Sequence, residues 1–141
     1  MQVEIISKNA QAEKLSLMKP GFIKGRNTAF IKLDNQKWVK INFKDVVYIE
    51  AREKISILFF SNNEYMVCKS PLYKVQRMLP MEFERIHRAF IVNVDWVDYV
   101  DVAKRQINLK NNVSLGLGLG YKDCIAKYFV NPNKYSLESV D

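Results

Sequence analysis

A chain of 141 residues, 48% hydrophobic and 26% charged, has the size and make-up of one globular domain, with or without a tail. Five Gly and four Pro exclude a collagen-like or largely disordered chain, and no run of about 18 apolar residues exists to span a bilayer as a helix. The formal net charge is +7, from 22 Lys and Arg against 15 Asp and Glu, and residues 24–130 alone carry the same excess, 18 against 11. The excess therefore belongs to the folded part and suits polyanionic partners, although many cytosolic proteins share it.

Residues 1–27 read as a linker or N-terminal arm. Asn9 to Leu15 has the make-up of a short helix, and Lys19-Pro20-Gly21 and Lys24-Gly25-Arg26-Asn27 break structure. The stretch Met1 to Lys8 lacks a charged segment followed by an apolar one, so no secretory signal is expected.

From Thr28 onward the hydrophobic period is mostly two. Ile31 and Leu33 alternate with Lys32 and Asp34, and Asp34-Asn35-Gln36 is a turn candidate. Val39, Ile41 and Phe43 alternate with polar residues, Val46 to Ile49 is a β-branched and aromatic run, and Ile55, Ile57 and Phe59 alternate again. Ser61 to Glu64 makes a turn and Tyr65 to Cys68 a further strand, so this stretch is a chain of hairpins. The period then changes. Ser70 suits an N-cap and Pro71 a first helical position, Leu72, Val75, Met78 and Leu79 share a helical stripe, and Pro80 ends it.

Phe83 to Val102 returns to extended character. Ala103 to Gln106 is a turn, Ile107 and Leu109 a strand, and Lys110-Asn111-Asn112 another turn. Leu115, Leu117 and Leu119 alternate with three glycines, and Tyr121, Ile125, Tyr128 and Phe129 mark a closing helix. The expected core is Ile41, Phe43, Val47, Ile49, Ile57, Leu72, Val75, Leu79, Ile91, Ile107, Ile125 and Phe129.

Catalytic and metal chemistry finds little support. Gly116, Gly118 and Gly120 space as G-x-G-x-G without a βαβ unit, which reads as a strand whose bare face admits another backbone. His87, the one histidine, lies between Arg85 and Arg88 without a nucleophile in a recognisable order, so a structural hydrogen bond or a phosphate contact suits it better than base catalysis. Cys68 and Cys124 are too few for a four-cysteine zinc site and read as buried, reduced thiols. Asp95, Asp98 and Asp101 lie in strand-favouring sequence, where they do not share a face, and read as solvated charges. No catalytic residue, metal site or cofactor is expected, and the chain does not read as an enzyme.

The basic residues gather where the chain turns. Arg52-Glu53-Lys54 separates two strands, Lys69, Lys74 and Arg77 lie before or on the middle helix, Arg85 and Arg88 flank His87, and Lys104-Arg105 form another turn. Loop cations reach phosphates, and a guanidinium also pairs two ways with guanine. The helices are about 40 residues apart in sequence, which rules out a helix-turn-helix. A reader of DNA with this order of elements would have to use loops between strands.

Three segments resemble one family. Asp45-Val46-Val47-Tyr48-Ile49-Glu50-Ala51 is similar to a D-I-x-Y-I-E-A strand. Phe83 to Asn93 is similar to F-x-R-I-H-R-S-x-I-V-N, and Ser70-Pro71-Leu72 with Leu79-Pro80 resembles an S-L-x-x-L-x-x-x-L-P helix. These are marks of the LytTR family of bacterial DNA-binding domains, and the resemblance covers roughly residues 27–130.

The resemblance implies a mainly β, elongated domain over 28–130, built of small antiparallel sheets with one short central helix and a C-terminal helix, followed by a tail over 131–141. It implies a cytoplasmic, sequence-specific transcriptional regulator whose loops enter successive major grooves of double-stranded DNA. The free domain would be monomeric, with two copies on direct repeats. A sensor kinase is an expected partner where a receiver domain belongs to the full-length response regulator of a two-component system, since 1–27 is too short for one. Carried over by position, the DNA-contacting residues are Arg52, Glu53 and Lys54, then His87 and Arg88, then Lys122. Where the family commonly has Ser-Arg, this chain has Gly118 and Leu119, a departure that removes a guanidinium. It motivates an alternative reading, a protein-interaction domain with weak DNA binding that sequesters a partner regulator.

Overall fold

The computed structural model describes residues 27–32 and 36–133. The helix expected at Asn9 to Leu15, part of the Asp34 turn and most of the C-terminal tail lie outside these residues. Among the described residues these elements follow one another: β1 (Thr28–Lys32), β2 (Trp38–Asn42), β3 (Val46–Arg52), β4 (Ile55–Phe60), β5 (Tyr65–Cys68), α1 (Leu72–Gln76), β6 (Phe83–His87), β7 (Phe90–Asn93), β8 (Val97–Asp101), β9 (Gln106–Leu109), β10 (Ser114–Gly116) and α2 (Lys122–Ala126). The fold is mainly β, as expected, in small antiparallel sheets.

The central sheet has five strands in the order β5-β4-β3-β7-β6. The β1–β2 hairpin and α1 cover one of its faces. Ile31 and Ile41 from the hairpin and Leu72 and Val75 from the helix pack with Ile49, Leu58, Phe83 and Ile91 of the sheet. The three-stranded sheet β10-β9-β8 and α2 cover the other, where Ile107, Leu109, Leu115 and Ile125 meet Val47, Ile86 and Val92. Strand alternation sends Ile91 to one core and Val92 to the other, so a sheet buried on two sides needs apolar residues at consecutive positions. A bulge between Val46 and Tyr48 shifts the phase of β3, leaving Val46 and Ile49 in the first core and Val47 in the second. Each fully buried aliphatic side chain contributes about 1.5–3 kcal/mol.

Buried polar groups are satisfied where they tie segments together. Asn93 is buried, and its Nδ2 donates to the carbonyls of Val46 at 3.0 Å and Phe43 at 3.4 Å while its Oδ1 accepts from the Asp95 amide at 3.0 Å. The buried Ser56 hydroxyl donates to the Ser70 carbonyl at 2.7 Å. Burial pushes the Cys68 thiol up to about 12, whereas Cys124 is half-buried.

The structure corrects four local expectations. Pro71, not Ser70, occupies the N-cap of α1, without a side-chain capping bond, because Ser70 is buried and held by Ser56. Both helices are shorter than the 71–79 and 121–129 spans that their stripes suggested, since each α-helical segment closes after five residues. Leu79 is half-buried at the margin of the first core. Phe129 is 45% exposed, because α2 ends at Ala126 and the chain leaves the core before reaching it.

Candidate nucleic-acid interface

The turn Glu53–Lys54 joins β3 to β4, with Arg52 paired to Ile55 across it. Glu53 adopts φ 59°, a conformation that costs a residue with a Cβ roughly 1–2 kcal/mol and fixes the direction in which its neighbours leave the sheet. Lys54 is exposed. Arg52 is exposed too, but its Nε donates to the Glu50 carboxylate at 3.3 Å, so it is partly engaged within its own strand.

Because β3 and β7 are antiparallel neighbours, the β6–β7 turn lies at the same end of the sheet. The Ala51 amide donates to the Ala89 carbonyl at 2.8 Å, which sets the two turns side by side. His87 is half-buried and its Nδ1 accepts from the Ala89 amide at 3.0 Å. That bond places the ring proton on Nε2 and makes His87 a shaper of the turn. Arg88 is exposed, and among the described residues its side chain has no hydrogen bond or ion pair; Glu84, a candidate partner, is taken by Lys127 at 2.8 Å and the Tyr128 hydroxyl at 2.6 Å.

The glycine segment completes the cluster. The Gly118 amide donates to the Ile86 carbonyl at 2.8 Å, so residues 117 and 118 run along the outer edge of β6 and cover it. A Cβ on Gly118 would stand 2.9 Å from Tyr121 Cδ2 and 3.5 Å from His87 Cα, so the close backbone approach expected of the three glycines is met at Gly118, whereas a Cβ on Gly116 makes only an ordinary contact with the His87 ring and one on Gly120 meets nothing within 4 Å. A 3-10 turn over Leu119–Tyr121 follows and delivers exposed Lys122 at the start of α2.

Two contributors lay beyond the sequence-derived site. The Leu117 amide donates to the Arg105 carbonyl at 2.9 Å, which draws the β8–β9 turn, with exposed Lys104 and Arg105, to the same end. Both residues stood out as a basic turn, but their neighbourhood depends on a hydrogen bond between segments 12 residues apart in sequence. Arg85 is the other. Its Nε donates to the His87 carbonyl at 3.0 Å, its Nη2 to the Arg88 carbonyl at 2.6 Å and its Nη1 to Gln76 Oε1 at 3.1 Å. It also lies 6.0 Å from the Tyr121 ring centre. Its fork fixes the turn that bears Arg88.

Four turns carrying Arg52, Lys54, Arg88, Lys104, Arg105 and Lys122 are thus joined by backbone hydrogen bonds, with Glu53 among them. Among the described residues no group of three or more His, Cys, Asp or Glu could hold a metal ion, and no helix is long and apolar enough to cross a membrane. The family model for the LytTr DNA-binding domain matches residues 36–129. A solved LytTr DNA-binding domain from Bacillus cereus is similar in structure, with a TM-score of 0.61 and 24% identity, covering 73% of this chain and 96% of that one. No curated protein matches the chain. The match over residues 36–129, on a fold shared with that domain, places this chain in the LytTR family of DNA-binding domains.

Proposed function

We propose that the chain is a sequence-specific transcriptional regulator of the bacterial cytoplasm that binds double-stranded DNA through the four basic turns. The observation that carries this reading is their convergence: hydrogen bonds Ala51–Ala89, Gly118–Ile86 and Leu117–Arg105 bring cations distant in sequence to one end of the central sheet. Lys54, Lys104, Arg105 and Lys122 anchor phosphates, and Arg88 with the Arg52–Lys54 turn reads base edges in the major groove. The free domain is a monomer, and two copies occupy adjacent direct repeats. In a full-length protein with a receiver domain, a sensor kinase supplies the signal.

A mobility-shift assay on genomic fragments over a range of salt tests this reading. A small set of fragments should be retained at salt that releases the rest, with log affinity falling linearly in log salt. Uniform, weak retention of every fragment would contradict sequence specificity, and no retention at low salt would contradict DNA binding.

A further inference from the structure

Leu119 has the greatest exposure of the large apolar side chains among the described residues, 78%. Leu115 and Leu117, four and two positions earlier, are buried; the 3-10 turn that begins at Leu119 swings the third leucine outward. The turn that presents it is held at both ends. Gly118 is bonded to Ile86, and the Tyr121 amide donates back to the Gly118 carbonyl at 3.0 Å. Its flanking residues are glycines, and a Cβ on Gly120 would meet nothing within 4 Å, so no neighbour screens the isobutyl group. Arg88 leaves the adjoining turn, whose His87 Cα approaches the Gly118 Cβ position to 3.5 Å. Leu119 and Arg88 therefore project from backbones in contact.

We propose that Leu119 is a specificity-determining residue of the interface and reads the 5-methyl group of thymine. The inference rests on the DNA-binding reading above. A leucine has no donor or acceptor, so it selects among base pairs only by apolar contact, and the C5 methyl of thymine is the apolar mark displayed in the major groove. Burying one such group changes affinity about fourfold, which is roughly 0.8 kcal/mol at about 1.4 kcal/mol per tenfold. An arginine at the same place would select guanine instead.

The full chain is first used to select a preferred site from random duplexes. Each thymine of that site is then replaced by deoxyuridine, which pairs alike and lacks only the methyl. Fluorescence anisotropy compares the parent, Leu119→Ala and Leu119→Arg, with circular dichroism confirming that each is folded. We expect one thymine per half-site at which uracil weakens the parent about fourfold and leaves Leu119→Ala unchanged. At that position Leu119→Arg should favour guanine. A selected site at which no uracil substitution separates the parent from Leu119→Ala overturns the role of Leu119 and leaves DNA reading intact. Failure to enrich any sequence overturns the DNA-binding reading and Leu119 with it, and would turn this surface toward a protein contact.

Discussion

The guanidinium of Arg85 holds the backbone of Arg88: its Nη2 donates to the Arg88 carbonyl oxygen at 2.6 Å. One arginine thereby positions the next, and it does so from the strand, where its own alternation is fixed by Phe83 and Ile86 packing into opposite cores. The remaining donors of the fork reach the His87 carbonyl and Gln76, so the turn is tied to α1 as well.

Lysine lacks that fork and cannot hold the carbonyls of His87 and Arg88 together. Arg85→Lys should leave the domain folded and weaken binding to the preferred site roughly thirtyfold, on the basis of about 1 kcal/mol for each of the two turn-ordering bonds. Parallel thermal melts and binding isotherms check this. An unchanged affinity would show that the turn holds its shape without Arg85.

Gly118 and Gly120 sit on the same turn and differ in what a side chain would meet. Gly118→Ala places a Cβ 2.9 Å from the Tyr121 ring and crowds His87, whereas Gly120→Ala meets open space. The first should move Tyr121 and weaken DNA binding, and the second should bind as the parent does. Equal affinities for the two variants would contradict the close packing of Gly118 on His87.

Alkaline pH should loosen the C-terminal segment. Burial, then its hydrogen bond to Glu84, raises the Tyr128 hydroxyl above its ordinary value; the hydrogen bond to Glu84 raises the exposed Lys127 ammonium. Both folded values lie above the unfolded ones, so this stabilisation is present in full below about pH 10 and is lost as pH rises through the raised values. Tyr128→Phe keeps the ring and removes the hydroxyl. Its melting temperature should fall less steeply than the parent's between about pH 9 and about pH 11. Superimposable pH profiles would show that the Glu84 contact does not stabilise the fold.

Much of the fold was legible because period-two alternation records which side chains face inward, and β2 and β9 follow it, whereas the central strands are buried on both faces. Val47 and Tyr48 face the same core, and Val46 shares the other with Ile49 three positions on, because a bulge changes phase without a mark in composition. Leu119 follows the alternation of Leu115 and Leu117 in sequence yet is exposed, since a 3-10 turn replaces the strand after Gly118. Phe129 continues the stripe of α2 beyond the point where the helix stops. The turns bearing Arg52, Lys54 and Arg88 were visible as cations between strands. Their adjacency was not, because it depends on the antiparallel pairing of β3 with β7, a long-range choice that no local pattern encodes. Arg85 was visible only as a charge; its service to the turn becomes apparent once the carbonyls of His87 and Arg88 converge on it.

The central claim, that one end of the sheet reads DNA bases with Arg88 while other cations anchor phosphates, is tested most directly by comparing Arg88→Ala with Lys54→Ala on the preferred site and on random DNA across a salt series. Arg88→Ala should lose about 1–3 kcal/mol on the preferred site and much less on random DNA. Lys54→Ala should weaken both about equally and reduce the salt slope by about one unit. A folded Arg88→Ala that binds the preferred site as tightly as the parent would contradict the account.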